Sequence, residues 1–450
     1  MFSRRAMVLS TAFATAGCAH GPSELDKLGE FFSPRRAPKN FVRVDGAQFT
    51  IDGAPYRYVG SNMWYGAYLG AKAPLGDRAR LSRELDTLAS LGVTNLRVLG
   101  GSELSPLKNS LDPAFHAAKP PYNEELLGGL DFLLAEIASR NMRAVIYVGN
   151  FWEWSGGFAT YLYWTNGGQY IDMNDPAHPW PEFADFSAHF YASEPAVALY
   201  RAYVAALVTR TNTITGQPYR DDPAIMAWQL ANEPRPGGSQ AFGTSNMPAF
   251  YAWISDTAKF IKSLDANHLV STGNEGLKGC LESDDCVIKA HGVPEVDYLT
   301  CHIWPLNWSW IDAKDLPGTH ARGEALADDY LTQHIAAAKT LNKPLVVEEF
   351  GFPRDNGYEP GSPTTFKDRF YSMIYRRVLE SAKAGGPVAG SNFWAWGGSG
   401  RSQHPDYRMQ KGDTSYMGDP PQEPQGGNSV FDNDATTLEI IRAHAAALKA

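Results

Sequence analysis

Residues 80–100 read RLSRELDTLASLGVTNLRVLG. Leu81, Leu85, Leu88 and Leu91 fall on one stripe of a helix, and Gly92 supplies the residue that most easily leaves the helical conformation at its end. The following run, 94–99, reads as a short strand. An amphipathic helix that turns at glycine into a strand is half of a strand–helix–strand repeat, and the unit recurs in both directions. Downstream strands are predicted over 143–149, 225–232, 268–272, 296–304, 344–350 and 388–396. Helices are predicted over 125–140, 194–212, 250–264, 330–341, 366–384 and 436–448. Upstream, 41–59 alternates and turns at Asp45-Gly46 and Asp52-Gly53, which predicts a β-hairpin leading into a first strand that ends at Gly60-Ser61-Asn62.

Eight strands alternating with helices imply a parallel α/β sheet. A closed (β/α)8 TIM barrel accommodates eight such strands without leaving an edge. An open doubly wound sheet would carry a glycine-rich phosphate loop after its first strand. Here that position reads Asn62-Met63-Trp64-Tyr65-Gly66, which offers rings instead. Two connections are long, 151–224 and 397–435. Both follow strand C-termini, the face where barrels build their sites.

The chain has 450 residues, of which 44% are hydrophobic and 20% charged, a composition that can fill a core. Its net charge of −9 lacks the basic excess that nucleic-acid binding needs. After the N-terminal segment no apolar run is long enough to cross a membrane.

Residues 1–17 read as an export signal, with Arg4 and Arg5 before a short apolar stretch. Thr15-Ala16-Gly17-Cys18 resembles a lipoprotein cleavage box, so Cys18 is a candidate lipid anchor. Cleavage after Ala16 or Ala19 without lipidation is the alternative, and Ser3-Arg4-Arg5 hints weakly at twin-arginine export. The expected location is periplasmic or on the outer membrane, or else secreted. Residues 18–39 read as a tether and 40–450 as the barrel. In an oxidising compartment Cys280 and Cys286, six apart, could close a disulfide. Cys301 reads as a buried thiol.

Polar residues gather at the predicted strand C-termini. They are Asn62, Arg97, Asn150, Asn232-Glu233, Asn274-Glu275, His302 and Glu348-Glu349, with Trp394 and Trp396 after the last strand. A mouth of carboxylates, amides and indoles suits a carbohydrate, whose C–H faces stack on rings and whose hydroxyls need polar partners. Glycosidic cleavage needs two carboxyl groups, one to protonate the leaving oxygen and one to attack or activate water. Trp228-Gln229-Leu230-Ala231-Asn232-Glu233-Pro234 and Val346-Val347-Glu348-Glu349-Phe350-Gly351 are the two carboxylate signals. Strand side chains alternate, so only one of Glu348 and Glu349 should face the mouth. No His-Glu-x-x-His metal motif, Gly-x-Ser-x-Gly elbow or Walker loop occurs, and neither a metal nor a cofactor is expected.

Asn-Glu-Pro at 232–234, Cys301-His302-Ile303-Trp304-Pro305, Glu349-Phe350-Gly351 and Phe393-Trp394-Ala395-Trp396 occur in that order, after Asn95-Leu96-Arg97. Over residues 41–450 the sequence resembles glycoside hydrolase family 5. Its mannan-cleaving subgroup is suggested by 151–157, 302–308 and 418–426. The resemblance implies a retaining glycosidase acting on β-mannan, glucomannan or manno-oligosaccharides. It makes Glu233 the acid/base and Glu349 the nucleophile, with Glu348 facing away. Asn232 would meet the sugar 2-hydroxyl, Arg97 would keep the nucleophile ionised, and His302 would join the same network. Trp304 stands where many family members carry Tyr. Trp394 would stack under the sugar, and Trp64 and Trp152 are further binding candidates. Arg235 and Glu275 would contact the leaving side. Endo action is expected. Exo action as a β-mannosidase is the alternative, and a non-catalytic glycan-binding protein a distant one.

Overall fold

The computed structural model describes residues 40–449. The export signal, the tether and Cys18 lie outside the described residues. Eight strands, labelled here in chain order, form one parallel sheet: β1 Tyr58–Asn62, β2 Asn95–Leu99, β3 Arg143–Tyr147, β4 Ile225–Gln229, β5 Leu269–Ser271, β6 Leu299–Ile303, β7 Leu345–Phe350 and β8 Val388–Phe393. Their order is β5-β4-β3-β2-β1-β8-β7-β6. The seam between β5 and β6 is closed by bonds from the Asp297 N–H to the Val270 carbonyl (2.8 Å), from the His302 N–H to the Glu275 carbonyl (3.1 Å) and from Thr300 Oγ1 to the Asn274 carbonyl (2.6 Å). The result is the (β/α)8 barrel expected.

Around it run α1 Arg78–Ser90, α2 Glu124–Ser139, α3 Glu194–Val208, α4 Gln240–Leu264, α5 Asp284–His291, α6 Leu316–Leu341, α7 Thr365–Lys383 and α8 Ala435–Lys449. The leucine stripe of 80–91 is buried as its spacing requires. Asp77 caps α1 by accepting from the Arg80 N–H, and Asn123 caps α2 in the same way. Helix α5 falls in the polar run around Cys286, where the sequence reading predicted no helix. Ser283 caps it, and Cys280 and Cys286 are both buried and unbridged, so the expected disulfide is not formed. Cys301 is a buried thiol on β6.

The N-terminal antiparallel sheet pairs Val42–Asp45 with Gln48–Ile51, and the latter with Ala54–Tyr56. It plugs the bottom of the barrel. Phe49 packs edge-on against Tyr298 at 5.4 Å, within a cluster that includes Val145, Val346 and Leu269. One layer up the interior turns polar, and Gly60 makes room for it. A Cβ there would lie 2.2 Å from Asn392 Nδ2, which donates to Asn95 Oδ1 at 3.0 Å.

Register shifts interrupt three of the barrel pairings, β3 with β4, β6 with β7 and β7 with β8, and the one between β6 and β7 falls at the strand end. Val347 pairs with Cys301, but Glu349 pairs with His302, so Glu348 is an extra residue in β7. Such a bulge breaks strict side-chain alternation. Glu348 therefore points into the barrel interior along with Glu349, and the expectation that it faces away is corrected.

Burial holds His291, His334 and His444 neutral, lowering each to about 4. The unfolded chain takes up protons below about pH 6.5 that the folded chain refuses, so stability is lost as pH falls from about 6.5 to about 4. His444 stacks on Tyr375 at 4.1 Å and its Nε2 has no partner. His444→Phe keeps the stack and removes the titration. Urea unfolding should show a smaller loss between pH 7 and pH 4.5 in the variant, by about 2 kcal/mol. An unchanged loss would contradict the cause given.

Candidate active site

Arg97, on β2, reaches the axis of the barrel with no exposed surface. Its Nε donates to Gln229 Oε1 (2.8 Å), its Nη1 to Asn62 Oδ1 (3.2 Å) and its Nη2 to Asn232 Oδ1 (2.8 Å). Nη1 also donates to Glu349. The Tyr147 ring lies beneath the guanidinium at 4.5 Å. Strands β1, β2 and β7, together with β4 and the residues just after it, are thus tied by one cation.

Glu233 lies just beyond β4 and has a left-handed backbone, φ 53°, with its N–H on the Gly273 carbonyl at 2.9 Å. A non-glycine residue in that conformation is strained, and here the strain turns the side chain into the mouth. Glu233 Oε2 accepts from Trp152 Nε1 at 2.5 Å, and Oε1 lies 2.6 Å from His302 Nδ1. Glu349 Oε2 accepts from Trp304 Nε1 at 3.2 Å and lies 3.3 Å from the same His302 Nδ1. Trp304 thus offers an N–H to Glu349, the kind of donor that a Tyr hydroxyl would provide. Donor atoms of Glu233, His302 and Glu349 fall within 4.8 Å of one another. These are atom types that a metal could use, but each already has a partner inside the cluster, and Arg97 is a cation in place.

The charges follow from this packing. Burial alone would lower His302, but the Glu349 charge and the bonds to Glu233 and Glu348 push it up to about 10. Burial would raise Glu233, but the bond and charge of His302, the Arg235 charge and the Trp152 N–H together outweigh it and hold the carboxyl below its ordinary value. Burial pushes Glu349 up to about 7, against the pull of His302 and Arg97 and with help from Glu233 and Glu348. The proton of the 2.6 Å bond therefore rests on the imidazole.

A cavity of about 400 Å³ opens over the pair. Of the expected residues, Glu233, Glu349, Asn232, Trp304, Trp394, Trp152, Arg235 and Glu275 line it. Arg97 and His302 stand behind that lining. Trp304 and Trp394 meet at 5.7 Å and 74°. Arg235 is paired with Glu275 and lies over the rings of Trp152 (4.8 Å) and Trp180 (5.7 Å). Burial raises Glu275 to about 7 despite that partner. Trp64 is corrected: it is fully buried, packs on Trp154 and Tyr416, and donates its Nε1 to the Gly418 carbonyl at 3.0 Å. It supports the loop after β8 from behind.

Sequence reading gave no role to Asn307, Trp308, Gln422 and Glu423, which also line the cavity. Burial and the neighbouring Asp419 raise Glu423 to about 8, and the Glu349 charge adds to this. The signal available was position alone, since 418–426 lies in the long connection after the last strand.

A family model described as GH family 5 beta-mannosidase-like matches residues 39–450. A mannan endo-1,4-beta-mannosidase 5 of Solanum lycopersicum is 30% identical over 382 residues, covering 82% of this chain and 84% of that one. A mannan endo-1,4-beta-mannosidase 1 of Oryza sativa subsp. japonica is 30% identical over 409 residues, covering 87% and 85%. The crystal structure of a glycoside hydrolase family 5 mannosidase mutant from Rhizomucor miehei, in complex with mannosyl-fructose, superposes with a TM-score of 0.82. It is 36% identical, with 91% of this chain and 97% of that chain covered. The chain belongs to the β-mannosidase-like group of glycoside hydrolase family 5 and is a glycoside hydrolase.

Proposed function

We propose that the protein is a retaining β-mannosidase that releases mannose from the ends of manno-oligosaccharides. The observation that carries the stereochemical part is the carboxylate separation. Oxygens of Glu233 and Glu349 approach within 4.8 Å. Retaining enzymes place the pair about 5–5.5 Å apart, and inverting enzymes about 6.5–9.5 Å to admit a water.

In this reading Glu349 attacks the anomeric carbon, its charge held by Arg97 and its second oxygen by Trp304. The leaving oxygen takes the proton that His302 Nδ1 passes to Glu233 along the short bond, which leaves His302 neutral and Glu233 ionised. In the second half Glu233 accepts a proton from water as the hydroxide displaces Glu349, and passes it on to His302, which restores the starting state. Asn232, fixed by Arg97 and by a 3.2 Å bond from its Nδ2 to Asn150 Oδ1, meets the sugar 2-hydroxyl. Trp394 provides the stacking face.

Exo action is supported by the connection after β8. Pro420, Gln422 and Glu423 stand as a wall of the cavity near the nucleophile. The wall is braced by Asp419, which accepts from the N–H groups of Gly426 (2.8 Å), Asn428 (2.8 Å) and Ser429 (3.2 Å) and from Ser429 Oγ (2.5 Å). A long polymer needs that side open. The mannosidase structure at 36% identity supports the same reading. The endo names of the plant relatives favour the other. Residues 1–17 support export, with Cys18 as the proposed lipid anchor.

The product profile from mannohexaose, with cellohexaose as control, separates the two. Mannose with mannopentaose as the first large product is expected. Early mannobiose and mannotriose would overturn exo action and leave the glycosidase assignment standing. Glu349→Ala and Glu233→Ala should each lower turnover at least about a thousandfold, and near-normal rates would overturn the catalytic pair. Trp152→Phe removes a donor that favours ionised Glu233, so that carboxyl should hold its proton to higher pH. The alkaline limb of kcat/KM should rise by about half a unit to one unit, and a fall would contradict the bond's role.

A further inference from the structure

The bulge in β7 gives Glu348 an environment that a regular strand would deny it. The residue is 1% exposed, yet its two oxygens face donors from three side chains. Gln229 Nε2 donates to Oε1. Arg97 Nε and His302 Nε2 each lie 3.4 Å from Oε2. Gln229 closes the ring, because its own Oε1 accepts from Arg97 Nε at 2.8 Å. Arg97 and His302 are also the groups that hold Glu349 and Glu233 at their other ends. An ionised carboxylate can accept from Gln229 and His302 and pair its charge with Arg97, whereas a protonated acid or an amide would turn hydrogens toward one of these three groups.

We propose that Glu348 is a positioning residue for the glycosidic reaction: from beneath the catalytic pair it anchors His302 through Nε2 and Arg97 through Nε, and so fixes the proton of the His302–Glu233 bond. The proposal rests on the catalytic assignment above. With Glu348 ionised, three carboxylates face two cations. Removing its charge makes every neighbour in the cluster release its proton more readily, so their titrations all move to lower pH.

The test compares kcat/KM against pH for the wild type, Glu348→Gln and Glu348→Asp, together with the ¹⁵N resonances of the His302 ring. In E348Q both limbs should move to lower pH by about one unit or more, with kcat down roughly tenfold or more and KM within about threefold. E348D retains the charge and should keep both limbs in place. The His302 ring should be an imidazolium at pH 8 in the wild type and E348D, and in E348Q it should lose its proton at a pH lower by about one unit or more. Loss of activity at every pH with both limbs unmoved and an unchanged His302 ring would overturn the proposal. A wild-type His302 that titrates below pH 7 would overturn it too, even if E348Q failed to fold. The ring measurement needs no turnover, so it reads Glu348 even where the Glu233 and Glu349 variants disprove the catalytic pair.

Discussion

A buried guanidinium is the interaction on which the rest depends. Taking a cation out of water costs several kcal/mol unless its hydrogens and its charge are all answered. Arg97 is answered by Gln229, Asn62, Asn232 and Glu349, with Glu348 at 3.4 Å and the Tyr147 ring below. The same contacts hold β1, β2, β4 and β7 in register at their C-terminal ends. Barrel closure and the placing of the catalytic carboxylate are therefore one arrangement, and neither can relax without the other. This is also why the site lies on strand ends and not on mobile loops.

The loops contribute shape and donors. The connection after β3 brings Trp152 to Glu233 and, with Trp180, lays rings beside Arg235. The connection after β8 brings a wall held by Asp419 from within and by Trp64 from behind. Aromatic side chains here do two separate jobs. Trp64 packs behind Trp154 as support, while Trp154, Trp304 and Trp394 line the cavity. Neither residue type nor spacing distinguishes these roles. Only the path of the loop does.

The barrel was legible because its strands and most helices carry their own periodicity. Leu81, Leu85, Leu88 and Leu91 are buried as one stripe, and the ends of β4 and β7 hold the carboxylates the sequence singled out. Failures occurred where tertiary context overrides local pattern. Helix α4 begins at Gln240 under a Ser239 cap and continues through Pro248, which reads as a breaker. Helix α6 begins at Leu316 through Gly318 and Gly323, which hide its first turns. The Glu348 misreading came from applying strict alternation to a strand with an extra residue. Glu423 was invisible because the cavity it lines, and the Glu349 charge it feels there, are brought to it from distant parts of the chain.

Turnover with a 2-deoxy-2-fluoro-β-mannosyl fluoride tests the central claim most directly. The fluorine slows release of the glycosyl-enzyme, so intact mass and peptide mapping read which carboxylate attacked. The account predicts one fluoromannosyl group on Glu349. A label on Glu348 or Glu233, or a fully active enzyme that turns the reagent over without ever accumulating a labelled form, would contradict it.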